Sequence, residues 1–426
     1  MEKLSEFLKN SYTAYHAVEN AKRLLIENGF SELYETEDWE LCEGGKHFVV
    51  RDGSSFVAFT VGSLDDFSYK IIASHPDSPA LKLKANPINH SAGCSTLNVE
   101  KYGAGIWYTF FDRPLKIAGR VVKQEENRLF AETVESPYSV VIPSLAIHQN
   151  RNVNDNFAVN LQTDVKPIVS LEGGGQVSIE TILDEIAGEN VLLHELFLVN
   201  ADMPYSFGAN DEFLASPRID NLTSVYSSLT ALVSAENRSG ICVVACLDKE
   251  EIGSASVNGA GGDFLPTVLK RIAYALRFDE IEYAKALGSS FMASVDNTHA
   301  VHPNHPEKAD PTNQVLMGEG IALKWHAGGA YITGATSGAI VKAIAKKAGV
   351  SCQNFFNRSD MPSGSTLGVL AVKHLGIIGA DIGIPQLAMH SAQECIAKKD
   401  YFAMVEFLTE FLKQTIVKDG NDYLLK

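Results

Sequence analysis

The sequence predicts an α/β protein: an α/β/α sandwich around a mixed, mostly parallel sheet, with a β-rich domain inserted into it. After Arg218, short apolar segments typical of buried strands alternate with amphipathic helices, and this alternation indicates a mostly parallel sheet covered by helices. Helical and strand-like segments also occupy residues 1–85. The intervening residues, 86–213, show short alternating runs and turns instead, so we interpret them as an insertion.

Residues 1–85 are predicted to begin with a helix and to continue into strands. Apolar residues recur at helical spacing from Leu4 onwards, and the pattern ends at Gly29, a residue typical of helix ends. The segments SFVAFTVG and YKIIASH are short, apolar and rich in β-forming residues, and they predict two strands. The second segment ends at His75.

Residues 86–213 are predicted to form the β-rich inserted domain. Alternating runs such as LKIAGRVV and YSVVIP are separated by turn-like stretches, and Gly173–Gly175 lies among them. Helical patterning is scarce apart from ETILDEIAG. The turn-rich stretch FGANDEFLASPR is expected to return the chain to the outer domain, which resumes at residue 214.

Residues 214–426 are predicted to complete the sandwich. DNLTSVYSSLTALVSA has the spacing of a helix, and TSGAIVKAIAKKAG is an amphipathic helix closed by Gly349. Between and after them, ICVVACLD, FMASVD and SCQNFF are short apolar segments that predict buried strands. The segment after Asp400 is expected to form a terminal helix.

Composition narrows the class of protein. Hydrophobic residues make up 45% of the chain, and 52 acidic against 36 basic residues give a formal charge of −16. Such a surface repels phosphate backbones, which argues against nucleic acid as a partner. We expect no signal peptide, because MEKLSEFLKN lacks a basic region followed by an apolar stretch. We expect no membrane span, because no apolar run approaches ~18 residues. The six cysteines are scattered, so we expect reduced thiols and a cytoplasmic protein.

Chemically active side chains follow four of the apolar segments. They are His75, Asp77, Glu250, Glu251, Asp296 and His390. Because ligands of open α/β sheets bind beyond the carboxyl ends of the strands, we expect these side chains to converge on one edge of the sheet. Asp220 opens the helix that follows the insertion, where the helix dipole also favours a carboxylate.

The predicted edge carries more negative charge than a protein can bury without compensation. Asp220, Glu250, Glu251 and Asp296 would bring four carboxylates together, and at least one would have to be protonated. Two divalent cations remove this conflict. Imidazole and carboxylate ligands without thiolate suit zinc, cobalt or manganese better than calcium or magnesium. A carboxylate that bridges two ions about 3.5–4 Å apart is usual in two-metal hydrolases.

A series of short motifs runs through most of the chain in a fixed order. The motifs are SHPDSPALKLK, NVEKYGAGIW, LAIHQNRNVN, SPRIDNL, DKEEIGS, DNTHAVHPN, RSDMPSGSTLG and AMHS. In this set and order the sequence resembles the aspartyl-aminopeptidase family of metallopeptidases, part of the larger group of co-catalytic di-metal aminopeptidases. The resemblance implies hydrolytic removal of one N-terminal residue from a peptide.

The resemblance also implies a role for each residue of the predicted site. Asp220 bridges two divalent ions, most often zinc in such enzymes. His75 and Asp296 complete one metal site, and Glu251 and His390 complete the other.

Two further residues have catalytic roles by the same resemblance. Glu250 binds no metal but takes a proton from the activated water and delivers it to the leaving amine. Asp77 orients His75, as metal-bound histidines usually require.

Substrate contacts follow from the same resemblance. His299, Lys324 and Tyr331 line the substrate pocket, and His148 of the inserted domain reaches into a neighbouring subunit of a homo-oligomer, which can be a tetrahedral dodecamer. Lys324 would favour an acidic N-terminal side chain. The family usually has an Asn-x-x-Arg-Tyr stretch where this chain reads AGGAY. The missing arginine bears on the preference for acidic substrates and leaves the predicted metal chemistry unaffected.

Several alternatives stay open at the level of sequence. His148 fits a surface histidine, a substrate contact or a metal ligand. His194–Glu195 is not a zinc-protease motif, because no second histidine follows at the required spacing. A related di-metal carboxypeptidase or deacylase would share the ligands, and a non-catalytic assembly protein could retain the fold.

Overall fold

A computed structural model describes residues 1–172 and 177–426, so the Gly173–Gly175 run lies outside the described residues. The described α-helices are α1 (Glu2–Asn10), α2 (Ala14–Glu27), α3 (Ile179–Ala187), α4 (Ile219–Ser234), α5 (Phe264–Ala275), α6 (Glu280–Gly288), α7 (Ala335–Ala348), α8 (Leu367–Leu375) and α9 (Lys398–Lys413). The helices predicted around ETILDEIAG, after Asp220, before Gly349 and at the end of the chain are confirmed as α3, α4, α7 and α9.

The strands follow the same numbering in chain order. Up to residue 200 they are β1 (Ser31–Glu32), β2 (Lys46–Arg51), β3 (Ser55–Val61), β4 (Tyr69–Ser74), β5 (Ala80–Ser91), β6 (Cys94–Tyr102), β7 (Leu115–Glu125), β8 (Arg128–Glu135), β9 (Ile168–Leu171) and β10 (Val191–Asn200). After residue 200 they are β11 (Tyr205–Phe207), β12 (Phe213–Ser216), β13 (Ile241–Cys246), β14 (Phe291–Val295), β15 (Thr298–His299), β16 (Ile321–Lys324), β17 (Cys352–Phe355), β18 (Ile378–Gly383), β19 (Pro385–Leu387), β20 (Glu394–Ala397), β21 (Ile416–Asp419) and β22 (Asp422–Leu425).

The main sheet has nine strands in the order β1-β2-β3-β13-β4-β14-β18-β16-β17. Its centre is parallel, because β13, β4, β14 and β18 pair side by side in one direction. Antiparallel pairs join β3 to its neighbours and β16 to β18. The predicted mixed, mostly parallel sheet is therefore confirmed.

Helices cover both faces of this sheet. Successive side chains of a strand point to opposite faces, and in β4 the side chain of Ile71 packs into one hydrophobic core while Ile72 packs into the other. One core is completed by α1, α2, α4, α7 and α9, and the other by α5, α6 and α8. Because both faces are buried, the central strands are apolar throughout, as ICVVAC in β13 illustrates. This is the predicted α/β/α sandwich.

A second sheet belongs to the middle of the chain. Its six strands have the order β8-β7-β10-β5-β6-β9, and Leu81, Ile117 and Leu196 are fully buried in its own core. Strand β5 begins at Ala80, a few residues before the predicted start of the insertion. A five-stranded sheet, β11-β12-β20-β19-β15, lies where the chain returns to the sandwich. The turn-rich stretch FGANDEFLASPR therefore also contains strand β12.

The first predicted helix is divided in two. Helix α1 ends at Asn10 and α2 begins at Ala14, whereas the apolar spacing alone predicts one continuous helix. The buried guanidinium of Arg218 donates hydrogen bonds to the Ser11 carbonyl at 2.9 Å and to the Leu8 carbonyl at 3.4 Å. This distant side chain therefore satisfies carbonyls at the helix end. Among the described residues, no helix combines the length and the apolar character that crossing a membrane requires.

Candidate metal centre

The parallel strands bring distant parts of the chain to one edge of the sheet. Ser74 at the end of β4 is paired with Cys246 at the end of β13, and Ala73 is paired with Ser294 of β14. His75 and Asp296 directly follow β4 and β14. The side chains that the sequence places after these strands therefore emerge next to one another, at the carboxyl edge where ligands of such sheets bind.

The backbone takes uncommon conformations where it presents these side chains. His390 itself has φ +66°, and Lys249, which precedes the short 3₁₀ turn Glu250–Ile252, has φ +65°. The left-handed region costs roughly 1–2 kcal/mol for a residue with a Cβ atom. Such conformations persist where surrounding structure enforces them, and they concentrate at functional sites.

Asp220 lies at the centre of the cluster, and its two carboxylate oxygens face different partners. Oδ1 lies 3.6 Å from Nε2 of His75, which is also 3.6 Å from Oδ1 of Asp296. Oδ2 lies 3.5 Å from Nε2 of His390, which is 3.4 Å from Oε1 of Glu251. Two groups of donor atoms thus share Asp220, and within each group they lie within 4.8 Å of one another. A third group of the same tightness consists of His75, Glu250 and Glu251.

Hydrogen bonds orient both histidines towards the cluster. Nδ1 of His75 lies 3.1 Å from the Asp77 carbonyl oxygen, and Nδ1 of His390 lies 3.0 Å from the Ala104 carbonyl oxygen. A carbonyl only accepts, so each Nδ1 carries the hydrogen. Nε2 of each ring then faces the carboxylates and is the atom that would bind a cation, which is the arrangement of metal-binding histidines.

The Asp77 carboxylate connects several parts of the site. Its Oδ1 accepts a hydrogen bond from the Glu250 backbone N–H, and its Oδ2 accepts one from the Glu251 backbone N–H, both at 3.2 Å. The Tyr102 hydroxyl donates to Oδ2 at 2.8 Å. Asp77 therefore holds the turn with Glu250 and Glu251 as well as His75.

Glu394 has a comparable position on the other side and was not singled out by the sequence. Its carboxylate accepts hydrogen bonds from the backbone N–H of Asp220 at 2.8 Å and from that of His390 at 2.6 Å. The only signal in the sequence was its position four residues after His390. That spacing alone does not separate a functional acidic residue from an ordinary one.

Several carboxyl groups around the cluster hold their protons more tightly than usual. Burial raises the pKa of Glu250 and the pKa of Asp248 to about 7. Burial, together with the charge of Asp220, raises the pKa of Glu394 to about 8. Burial also raises the pKa of Glu251 well above its usual range. The cluster therefore carries more negative charge than its own cations neutralise.

The donor set fits divalent metal ions. Oδ1 of Asp220 and Oε1 of Glu251 are buried and have no hydrogen-bond partner, and a buried acceptor without a partner is costly. A cation would satisfy both atoms and would compensate the crowded carboxylates. Two imidazoles with carboxylates and no thiolate suit zinc, cobalt or manganese.

A cavity of about 260 Å³ opens directly onto this cluster. Glu250, His299, Lys324 and Tyr331 are among the residues that line it. Lys324 is buried, and its Nζ donates hydrogen bonds to Asp296 Oδ2 at 3.1 Å and to the Asn297 carbonyl at 2.7 Å. The ammonium group is therefore already paired with a residue of the cluster.

His148 is the one predicted substrate-binding residue that the structure does not bring to the cavity. It is exposed on a turn of residues 86–213 and is absent from the cavity lining. Among the described residues it belongs to none of the groups of possible metal ligands.

The sandwich fold and the histidine–carboxylate cluster at its strand ends define the class of protein, a metal-dependent hydrolase. The family model described as Aminopeptidase I zinc metalloprotease (M18) matches residues 7–412. The chain belongs to this family of zinc aminopeptidases.

Relatives and solved structures agree with this assignment. A Clostridium acetobutylicum protein described as probable M18 family aminopeptidase 2 is 41% identical over 423 residues, which cover 96% of this chain and 98% of that protein. Aspartyl aminopeptidase 1 of Schizosaccharomyces pombe is 34% identical over 441 residues, covering 95% of this chain and 93% of that protein. The prediction of an aminopeptidase is thus confirmed over the carboxypeptidase, deacylase and non-catalytic alternatives.

Two solved structures show the same fold. A chain in the cryo-EM structure of the Ape4 and Nbr1 complex superposes with a TM-score of 0.92 at 33% identity, covering 96% of this chain and 84% of that chain. A chain of the S. cerevisiae mApe1 dodecamer superposes with a TM-score of 0.82 at 25% identity, covering 96% of this chain and 95% of that chain.

Proposed function

We propose that the protein removes the N-terminal residue of peptides. It uses two divalent ions per subunit for this reaction, and zinc is the proposed metal. The observation that carries the proposal is the central carboxylate of Asp220, whose two oxygens face two separate groups of donors. His75 and Asp296 hold one ion with it, and Glu251 and His390 hold the other. Ions held there lower the pKa of water towards about 7 and polarise the scissile carbonyl.

The protein's own residues supply proton transfer and positioning. Glu250 lines the cavity, and its carboxylate also lies within 4.8 Å of donor atoms of His75 and Glu251. We assign it proton transfer rather than a place in either group around Asp220. It accepts a proton from the attacking water and delivers it to the nitrogen of the leaving amine. Asp77 fixes the turn that carries Glu250 through the backbone N–H of that residue.

We further propose that the cavity accepts an acidic N-terminal side chain. Lys324 contributes an ammonium group to the cavity wall beside His299 and Tyr331, and this charge attracts a carboxylate. The S. pombe relative is described as an aspartyl aminopeptidase. In the AGGAY stretch, where the family usually has an arginine, Gly329 or Ala330 supplies no second positive charge.

The inserted segment, residues 86–213, is proposed to be an assembly domain of a homo-oligomer, and a dodecamer is the proposed form. Large apolar side chains are exposed along it, among them Leu145 at 67% and Ile147 at 48%. Exposed apolar patches commonly mark protein–protein contacts. These two residues lie just before His148 in the chain, and His148 would then reach the cavity of a neighbouring subunit. The mApe1 relative is described as a dodecamer.

A cytoplasmic location is proposed from the chemistry of the cysteines. All six are free thiols, and Cys242 and Cys246 are buried in the sandwich. Unpaired thiols are typical of reducing compartments.

The number of bound metal ions tests the proposed centre. Wild-type protein, stripped with a chelator and reloaded with zinc, is expected to bind two ions per subunit and to regain activity on aminoacyl amides. Asp220→Asn is expected to lose at least one ion, because a neutral amide replaces the carboxylate shared by both groups. Two ions bound to Asp220→Asn as tightly as to the wild type would contradict the proposed centre. Activity of the stripped protein at the wild-type rate would contradict it as well.

A further inference from the structure

One turn of the inserted segment lies against the metal centre. It comprises residues 102–106, begins at the last residue of β6, and has the sequence YGAGI. We call it the YGAGI turn. Four of its residues contact three different members of the site.

The first contact is made by Tyr102. Its hydroxyl donates a hydrogen bond of 2.8 Å to Asp77 Oδ2, the same oxygen that accepts the Glu251 backbone N–H. Asp77 is buried, with 4% of its surface exposed, so water does not readily replace this donor. The position of the carboxylate, and of His75 beside it, therefore depends on Tyr102.

The second contact is a close approach at Gly103. This glycine has φ +74°, and a Cβ atom there would lie 3.2 Å from Cβ of Glu251 and 3.4 Å from Cα of Pro79. Both the backbone conformation and the narrow space favour glycine. The backbone of the turn thus packs directly on Glu251.

The third contact holds His390 from two sides. The Ala104 carbonyl accepts the hydrogen bond from Nδ1 of the ring at 3.0 Å, and the Ile106 backbone N–H donates to the His390 carbonyl at 2.8 Å. The turn therefore fixes both the backbone and the ring of His390. It also fixes the tautomer that leaves Nε2 free to bind a cation.

We propose that the YGAGI turn is a positioning element of the metal centre, so that the inserted domain sets metal affinity in addition to its proposed role in assembly. The proposal rests on the metal assignment made above. Tyr102 and Ala104 act through Asp77 and His390, and neither lines the cavity at the cluster. Loss of such supporting hydrogen bonds typically weakens metal binding 10–100-fold.

The test removes the Tyr102 hydroxyl and measures zinc affinity by competition with a chelating indicator. Tyr102→Phe is expected to bind zinc about 10-fold or more weakly than the wild type, and its lost activity should return when zinc is in excess. Tyr138→Phe is the matched control, because Tyr138 packs against the core of the second sheet and, among the described residues, its hydroxyl makes no hydrogen bond to Asp77, Glu251 or His390. It is expected to bind zinc as the wild type does. Wild-type affinity in Tyr102→Phe would overturn the proposal.

A second pair of variants covers the case in which Tyr102→Phe fails to fold. Gly103→Ala and Gly93→Ala both place a Cβ at a left-handed position of the inserted domain, at φ +74° and +77°. The new Cβ of Gly93→Ala meets nothing within 4 Å, whereas that of Gly103→Ala meets Glu251. Weaker zinc binding is therefore expected only in Gly103→Ala, and equal affinities would contradict the proposal.

Asp220→Asn, measured in the same titration, separates this proposal from the one it rests on. If Asp220→Asn keeps both ions, the metal assignment fails. If Asp220→Asn loses an ion while Tyr102→Phe and Gly103→Ala bind zinc as their controls do, only the role of the YGAGI turn is refuted.

Discussion

Each residue of the cluster uses its outward-facing atoms for structure and leaves its inner atoms for a ligand. Asp220 donates its backbone N–H to Glu394, and its carbonyl accepts from the Ser78 hydroxyl at 2.7 Å, while its carboxylate Oδ1 has no partner. His75 and His390 use Nδ1 in the same way. This division fixes the donors before any ion binds, which reduces the cost of organising the site.

Replacing the general base separates proton transfer from metal binding. Glu250→Gln keeps the shape of the side chain but cannot take up a proton, so kcat is expected to fall about 10²–10⁴-fold. Zinc content is expected to stay at the wild-type level. Glu406→Gln, an exposed glutamate on α9, is the control and should match the wild type. A kcat within twofold of the wild type for Glu250→Gln would refute the assigned role.

The proposed preference for acidic substrates depends on one lysine. A panel of N-terminal aminoacyl substrates is compared for the wild type, Lys324→Ala and the exposed-surface control Lys342→Ala. Lys324→Ala is expected to lose kcat/KM selectively for aspartyl and glutamyl substrates, because the remaining cavity offers no other lysine or arginine. Zinc content is measured in parallel, since Lys324 also pairs with Asp296. An equal loss for all substrates, or none, would contradict the preference.

At the scale of elements, the site depends on how closely neighbouring strands approach. Strand β18 pairs with β14 in parallel register, from Phe291 opposite Ile378 to Val295 opposite Ile382. The next residue of β18, Gly383, lies against the loop that carries Asp296. A Cβ on Gly383 would be 2.1 Å from the Asp296 carbonyl oxygen and 2.3 Å from the Thr298 hydroxyl oxygen. Position 383 therefore requires glycine because the neighbouring backbone lies so close, and not because of the φ angle of this residue.

This close approach predicts the effect of one added methyl group. Gly383→Ala is expected to lower the free energy of unfolding by roughly 3 kcal/mol, because a backbone oxygen cannot move aside as a side chain can. It should also weaken zinc binding, since Asp296 is displaced. Gly288→Ala at the end of α6, where a Cβ meets nothing within 4 Å, should leave both properties nearly unchanged. Urea unfolding and zinc titration of the two variants provide the measurement, and equal stabilities would contradict the expectation.

At the scale of the whole molecule, two separate stretches of chain contribute strands to the nine-stranded sheet, and residues 102–106 between them contact the metal centre. Strands β3, β4 and β13 pair although about 170 residues separate β4 from β13 in sequence. The insertion returns to the centre through the YGAGI turn. Folding of the sandwich, docking of the insertion and organisation of the cluster are therefore coupled, and metal binding should report on the whole fold.

Stability of the metal-free protein is expected to fall as the pH rises. Glu250 and Glu394 have pKa values of about 7 and about 8 in the folded protein, whereas carboxyl groups of the unfolded chain ionise near pH 4. Burial disfavours the charged ring of His390, but Asp220 and Glu251 outweigh this and raise its pKa to about 10. Between roughly pH 5 and 8 the folded state therefore binds more protons than the unfolded state, and the free energy of unfolding decreases with pH.

Thermal unfolding of chelator-treated protein checks this expectation. The melting temperature should be higher at about pH 6 than at about pH 8, and the increase produced by added zinc should be larger at about pH 8, because zinc competes with protons for the same donors. The Glu394→Gln variant removes one of the raised carboxyl groups and should flatten the dependence. A melting temperature of the metal-free protein that rises between about pH 6 and about pH 8 would contradict the raised pKa values of these groups.

The sequence by itself determined the fold class, the family and the order of the residues brought to the site. Apolar segments such as ICVVAC and YKIIAS predict buried parallel strands, and the polar residues directly after them had to emerge at one edge because parallel strands end together. The prediction of a continuous first helix was wrong, because the distant side chain of Arg218 binds carbonyl groups at the end of helix α1. The tertiary structure alone decided which atoms face one another: the two-sided placement of Asp220, the support from Glu394 and the YGAGI turn, and the pairing of Lys324 with Asp296. These depend on distances between residues far apart in the chain, which local periodicity does not encode.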